Sequence, residues 1–365
     1  MNTKKHEWIK KLAAGSAAIA DMKLASDIPD AALDADAFSL ANCDAHCRLI
    51  ARAIGDLLKS NSTSKSNARN LIRRLISRDT YGAFAELAAY DWLAQCPLKF
   101  TTEVAMTSSD VLATEGSTLD GRIEFGSMYF DIKAFGSNGR LAQRLKERLE
   151  KEIPDEQVLI EESWDLSFDI FSDLIETAPD IANELRQKGM VRKGPMVIRL
   201  DSVKPVTIIG RNVEPYRLAK ANVHYPFRDA KQFTRNNPFI LILVVHPWFN
   251  YLSIYNDFAG IDTAFTRSLA RRAFMQFSHD STPLTSIAKK VPADVTIGDA
   301  SRLLSAIFFV NVWPKDADSS IKYAMPSWLY LNPRATHRLT YWHAKFFCAQ
   351  NPNGTQIDGF ADDDY

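Results

Sequence analysis

The chain has 365 residues, 46% of them hydrophobic, which is enough for a sizeable buried core and for two or three structural units. Lysine plus arginine and aspartate plus glutamate balance at 44 each, so no overall charge advertises a polyanion partner, although local basic stripes stay open. The four cysteines, Cys43, Cys47, Cys96 and Cys348, argue against a disulfide scaffold and make a reducing, cytoplasmic compartment the default.

Near the N-terminus, Lys4 and Lys5 precede a weakly apolar run from Leu12 to Ala20. Lys10, Lys11, Asp21 and Lys23 crowd that run and argue against a signal peptide. Residues 1–62 read as a helical region, with Ile50, Ile54, Leu57 and Leu58 returning at helical spacing, and the polar run Ser60 to Asn67 reads as a linker. From Ala68 to Gln95 the pattern is helical again. Tyr81 to Ala94 is apolar nearly all round, as in a helix buried inside a domain, and Pro97 marks its end.

Strand-like runs follow at Phe100 to Ala105, Ser117 to Phe125 and Met128 to Phe135, then a charged helical stretch from Arg140 to Lys151. Further on, strands are expected at Val158 to Ile160, Met196 to Leu200 and Val206 to Ile209, with a helix around Phe168 to Gln187. Phe239 to Val245 is continuously apolar, which suits a strand covered on both faces. The longest apolar run in the chain, it is far short of the roughly 20 residues a membrane-spanning helix needs. A helix at Thr263 to Phe277, a helix or strand through Leu303 to Val312 and an extended Trp328 to Leu331 complete the chain.

The informative segment runs from Leu119 to Ala134. Gly126-Ser127 suits a two-residue hairpin turn, because glycine supplies the positive φ required at its first central position. That turn pairs Phe125 with Met128, Ile123 with Phe130, Arg122 with Asp131, and Asp120 with Lys133. One face then collects Leu119, Gly121, Ile123, Phe125, Met128, Phe130, Ile132 and Ala134, and the other Asp120, Arg122, Glu124, Tyr129, Asp131 and Lys133. Two carboxylates beside a lysine suit phosphodiester cleavage: the carboxylates hold Mg²⁺ or Mn²⁺, which activates water, and the lysine orients that water or stabilises developing negative charge. The alternative is a solvated face on which Asp120 pairs with Lys133.

An aspartate followed at this distance by Asp131-Ile132-Lys133 resembles the motif of the PD-(D/E)XK nuclease superfamily, with Leu119-Asp120 standing where Pro-Asp is usual. The resemblance covers roughly residues 68–151. It implies an α/β, restriction-endonuclease-like core (helix, three strands, helix, strand) over residues 63–260, with the helical region 1–62 before it and a mixed α/β extension, 261–365, after it. It also implies metal ligation by Asp120, Asp131 and the backbone carbonyl of Ile132, with Lys133 as the catalytic lysine. Glu86 matches the glutamate that the preceding helix often contributes, with Asp91 or Glu103 as alternatives. A carboxylate in so apolar a setting needs a cation, either a metal or an arginine such as Arg122.

Arg140 and Arg144, with Lys146 and Arg148, and a later stripe of Arg267, Arg271 and Arg272 read as solvated helix faces or phosphate contacts. Lys231 and Gln232 approach the site as supporting or substrate contacts if the intervening segment is an insertion. Cys43, His46 and Cys47 lack a fourth zinc ligand and read as structural. His246, His337 and His343 show no nucleophile pattern. The expected function is a divalent-metal-dependent DNA endonuclease of restriction, defence or repair, with DNA favoured over RNA and a homodimer or partner defence protein open. The competing expectation is a nuclease-like binding or assembly module without catalysis.

Overall fold

A computed structural model describes residues 4–33, 35–77, 79–96, 98–135, 138–154, 156–161, 173–194, 196–201, 215–245, 261–312, 327–348 and 355–360. The expected strand Val206 to Ile209 and His246 lie outside these. The strands, in chain order, are β1 (Phe100–Met106), β2 (Ser117–Ile123), β3 (Met128–Phe135), β4 (Gln157–Glu161), β5 (Met190–Lys193), β6 (Met196–Asp201), β7 (Phe239–Val245), β8 (Leu304–Asn311), β9 (Ser327–Leu331) and β10 (Thr355–Asp358). Together with the helices between them they make an α/β protein. Among the described residues no helix is long and apolar enough to cross a membrane.

Two compact units result. One comprises Met1–Ala134, Pro226–Val245 and Ala273–Tyr365, and the other Phe135–Tyr225 and His246–Arg272. These borders cut across the segments 1–62, 63–260 and 261–365 expected from sequence. The reason is hydrogen bonding: β8, β9 and β10 join β1, β2, β3 and β7 in one seven-stranded mixed sheet of order β1-β2-β3-β7-β8-β9-β10. Within it β1/β2, β2/β3 and β8/β9 are antiparallel, and β7/β8 and β9/β10 parallel.

The sequence of β7, Phe-Ile-Leu-Ile-Leu-Val-Val, is buried at every position, as its unbroken apolar run predicts for a strand covered on both faces. Helix Thr80–Ala94 starts where the Asp79 side chain accepts from Gly82 N–H at 3.1 Å, and nearly all of its residues are buried. It covers the sheet through Trp92, edge-on to Phe308 at 4.6 Å, and through Tyr90, which stacks on Phe100. Helix Asp44–Lys59 packs beside it, burying Leu49, Ile50, Ala53, Ile54 and Leu57 along one stripe. The following helix begins at Lys65, so only the first part of the expected linker is non-helical.

The second unit has its own core. Leu145 and Leu149 of helix Asn138–Glu152 pack with Ile181 and Leu185 of helix Ala178–Lys188 over the three-stranded antiparallel sheet β4-β6-β5. Leu303 to Val312, open between helix and strand from sequence, divides: a short helix ends at Leu303 and β8 begins at Leu304.

The hairpin turn differs from its expected form. Ile123 pairs with Met128, Arg122 with Tyr129 and Gly121 with Phe130, so the loop is Glu124 to Ser127 rather than Gly126-Ser127 alone. Gly126 still takes the positive φ (69°) that singled it out. Phe125, expected on the apolar strand face, leaves the strand and packs on Phe346 at 4.3 Å, while Glu124 N–H donates to Lys99 O. The register is shifted by two residues from the expected one. Because side chains alternate with a period of two, every strand residue keeps its expected face: Leu119, Gly121, Ile123, Met128, Phe130 and Ile132 are all buried.

Candidate active site

The hairpin brings Asp120 and Asp131 side by side, and the rest of the site is built around that pair. Asp120 Oδ2 accepts from the Ile132 N–H at 2.6 Å, and its backbone carbonyl accepts from the Tyr90 hydroxyl at 2.9 Å. Ile132 thus uses its amide to hold Asp120 and its side chain to fill the core. Asp131 is 1% exposed. Its Oδ1 accepts from Gln232 Nε2 at 2.8 Å, and its Oδ2 forms an ion pair with Lys133 Nζ at 2.5 Å.

Glu86 lies one helical turn before Tyr90, on the same face of helix Thr80–Ala94, which directs it toward the acidic pair. Its carboxylate is gripped by Arg74 through Nη2–Oε1 at 2.6 Å and Nη1–Oε2 at 3.0 Å, and Arg74 also pairs with Asp79. The buried glutamate therefore has the arginine partner that its setting demands, and that partner is Arg74. Arg122 turns instead to the hairpin loop, donating to Ser127 Oγ at 3.1 Å and lying over the Tyr129 ring.

The electrostatics follow from this crowding. Burial first, then the Asp131 and Glu86 charges, push the Asp120 carboxyl well above the ordinary carboxylate range. Burial also raises Glu86, against the opposing pull of Arg74. Burial disfavours the charge on Lys133, but Asp131, Asp229 and Asp120 outweigh it and raise the lysine above its ordinary value, so it remains an ammonium.

Gln232 arrives from the distant segment Ala230–Gln232, a single 3₁₀ turn preceded by Asp229. That segment is fastened to the β1–β2 loop: Ala113 N–H donates to Lys231 O, Leu112 N–H to Phe233 O and Arg235 N–H to Asp110 O. Gln232 Nε2 also reaches Thr118 O at 3.3 Å, while its Oε1 is buried without a partner. The neighbouring Lys231 is half-buried. The sequence singles out Lys231 and Gln232 but not Asp229, and adjacency to that pair is the one signal that points to it.

The other expected residues fall elsewhere. Arg144 is exposed on helix Asn138–Glu152, and Arg271 ends helix Ile261–Arg271; both belong to the second unit, and the Arg140 side chain is outside the described residues. Asp91, the alternative to Glu86, is taken by Arg52 at 2.6 and 2.7 Å and by Gln95. His46 is buried edge-on to Phe84, and burial lowers its pKa to about 4. His337 bonds the Arg235 carbonyl.

Among the described residues no group of three or more His, Cys, Asp and Glu side chains is arranged to hold a metal ion, consistent with Glu86 being drawn to Arg74. Two carboxylates remain, Asp131 buried against Lys133 and Asp120 burdened by neighbouring negative charge. A divalent cation relieves that crowding. Mg²⁺ is commonly held by one or two carboxylates plus substrate phosphate and water, so the residues present fit such an ion. No protein-family model matches the sequence, and no match was found among curated proteins or solved structures.

Proposed function

We propose that this protein is a divalent-metal-dependent nuclease of the PD-(D/E)XK type, a DNA endonuclease of restriction, defence or repair. The observation that carries the reading is the adjacency of Asp120 and Asp131 with Lys133 held charged against Asp131 in a mostly buried site. The order helix then three antiparallel strands, with β7 beside β3 in the same sheet, supports a restriction-endonuclease-like core.

In this reading Asp120, Asp131 and the Ile132 carbonyl would hold Mg²⁺ or Mn²⁺, which would acidify water and neutralise phosphate charge. Lys133 orients the attacking water and stabilises negative charge developing on the phosphate. Gln232 and Lys133 together fix the Asp131 carboxylate, and the Ile132 N–H fixes Asp120. Glu86 neutralises Arg74 and contributes, after Asp131, to the negative charge that Asp120 feels.

The test is incubation with circular and linear DNA and with RNA, with and without Mn²⁺. Cleavage by the natural chain and its loss in Asp131→Asn and Lys133→Met with folding intact are expected; cleavage unchanged in both variants sinks the assignment. The pairing of Glu86 with Arg74 favours a second reading, a nuclease-like binding or assembly module. Failure of the natural chain both to cleave and to bind Mn²⁺ selects it.

A further inference from the structure

A second feature is attached to the same hairpin. Tyr341 and Trp342, at the start of helix Tyr341–Cys348, are 63% and 62% exposed, the two most exposed large hydrophobic side chains among the described residues. The Trp342 ring stands edge-on to Phe346 at 5.6 Å, Phe346 packs on Phe125 at 4.3 Å, and Phe125 lies 5.4 Å from the His343 ring. Lys345 Nζ sits 5.3 Å over the Tyr341 ring.

Gly126 makes the junction possible: a Cβ there would come within 2.9 Å of His343 Cδ2, and its φ of 69° is one that larger residues rarely adopt. The rings are therefore seated on the loop whose two strands carry Asp120 and Asp131. At about 3.3 Å per residue, Asp131 is about 10 Å along β3 from that loop.

The helix that carries these rings and the segment leading into it are free of acids, and the hairpin loop beneath them adds the single exposed carboxylate of Glu124. From Ser327 through Cys348 the chain contains no aspartate or glutamate, while it holds Arg334, Arg338 and Lys345 besides His337 and His343. Arg338 and Lys345 are exposed. In a chain whose total charges balance, an acid-free stretch bearing two solvent-facing rings matches a polyanion that also presents flat apolar faces. Bases of a single strand offer such faces, whereas those of a duplex are stacked on one another. Stacking tolerates any base sequence, and nearby cations track the phosphates.

We infer that Tyr341, Trp342 and Lys345 form a stacking platform for single-stranded DNA beside the catalytic hairpin. Its placement next to a cleavage site rests on the nuclease reading; its binding does not. The test is fluorescence anisotropy of a labelled oligo-dT with the full chain in EDTA, so that no cleavage intrudes. Trp342→Ala is expected to weaken binding about tenfold or more, Trp342→Phe to retain most of it, and Lys345→Ala to reduce its salt dependence. The exposure of Trp342 leaves the fold unaffected, which circular dichroism checks.

Unchanged oligo-dT affinity in Trp342→Ala overturns the inference. So does failure of the natural chain to bind oligo-dT, tighter binding of duplex DNA or of RNA, or a protein found to occupy the rings in its place. If oligo-dT binding depends on Trp342 but Mn²⁺ never supports cleavage, the platform stands and the nuclease reading falls. If cleavage needs Asp131 while binding is indifferent to Trp342, the nuclease reading stands and the platform falls.

Discussion

Replacing Asp120 with asparagine separates the structural role of this carboxylate from its role toward a cation. The asparagine side chain keeps an oxygen to accept from the Ile132 N–H, and its amide reproduces the proton that a neutral Asp120 presents to Asp131. What it removes is charge. Like charges about 4 Å apart repel by about 4 kcal/mol at an effective dielectric constant of about 20, and Lys133 offsets roughly half of this, leaving about 1–2 kcal/mol. Asp120 has a raised folded-state pKa, so its stabilising effect is complete below the unfolded value of about 4 and is lost as pH rises through the folded value. Metal-free natural protein should therefore lose stability as pH rises above about 4, and Asp120→Asn should lose less. At pH 8 the variant is expected to unfold about 2–8 °C higher in calorimetry, while at pH 4 the two coincide. Mn²⁺ should raise the transition of the natural protein and leave that of the variant unmoved. A variant less stable than the natural protein at pH 8 without metal, or equally pH-dependent, refutes the account of crowded carboxylates.

Arg74→Met strands the buried Glu86 carboxylate and should cost about 3 kcal/mol in denaturant unfolding, with Arg74→Met/Glu86→Gln recovering much of it; additive losses would deny the coupling. Gln232→Leu removes the only side-chain hydrogen bond described to Asp131 Oδ1, and Mn²⁺ affinity measured by calorimetry should fall about 10- to 100-fold; unchanged affinity would make Gln232 a packing residue. Mn²⁺ affinity of the natural protein should climb with pH as Asp120 gives up its proton, and a flat profile from pH 5 to 8 would count against Asp120 as a ligand.

The local pattern carries a great deal. Alternation along Leu119 to Ala134 puts Asp120, Asp131 and Lys133 on the polar side of the hairpin, and seven consecutive apolar residues mark β7 as buried on both faces. The length of the turn is not legible in the same way. Gly126 satisfies a positive φ in a two-residue loop and in the longer one alike, and nothing nearby in the chain says that Phe125 will be drawn out of the strand by Phe346. The longer loop displaces the register by two, so the faces survive while the partners change: Asp120 neighbours Asp131, and it is Asp131 that Lys133 meets.

Charge pairing is where local pattern ends. The apolar setting of Glu86 announces that a cation is needed, but an arginine on a separate helix, Arg74, supplies it and not the expected candidate Arg122. Gln232 and Asp229 reach Asp131 and Lys133 from about a hundred residues downstream. Which side chains share a strand face is legible in the local pattern, because it follows from a period of two. Which of those charges meet is set by the packing of separate elements, because a short-range Coulomb contact depends on distances that local pattern does not carry.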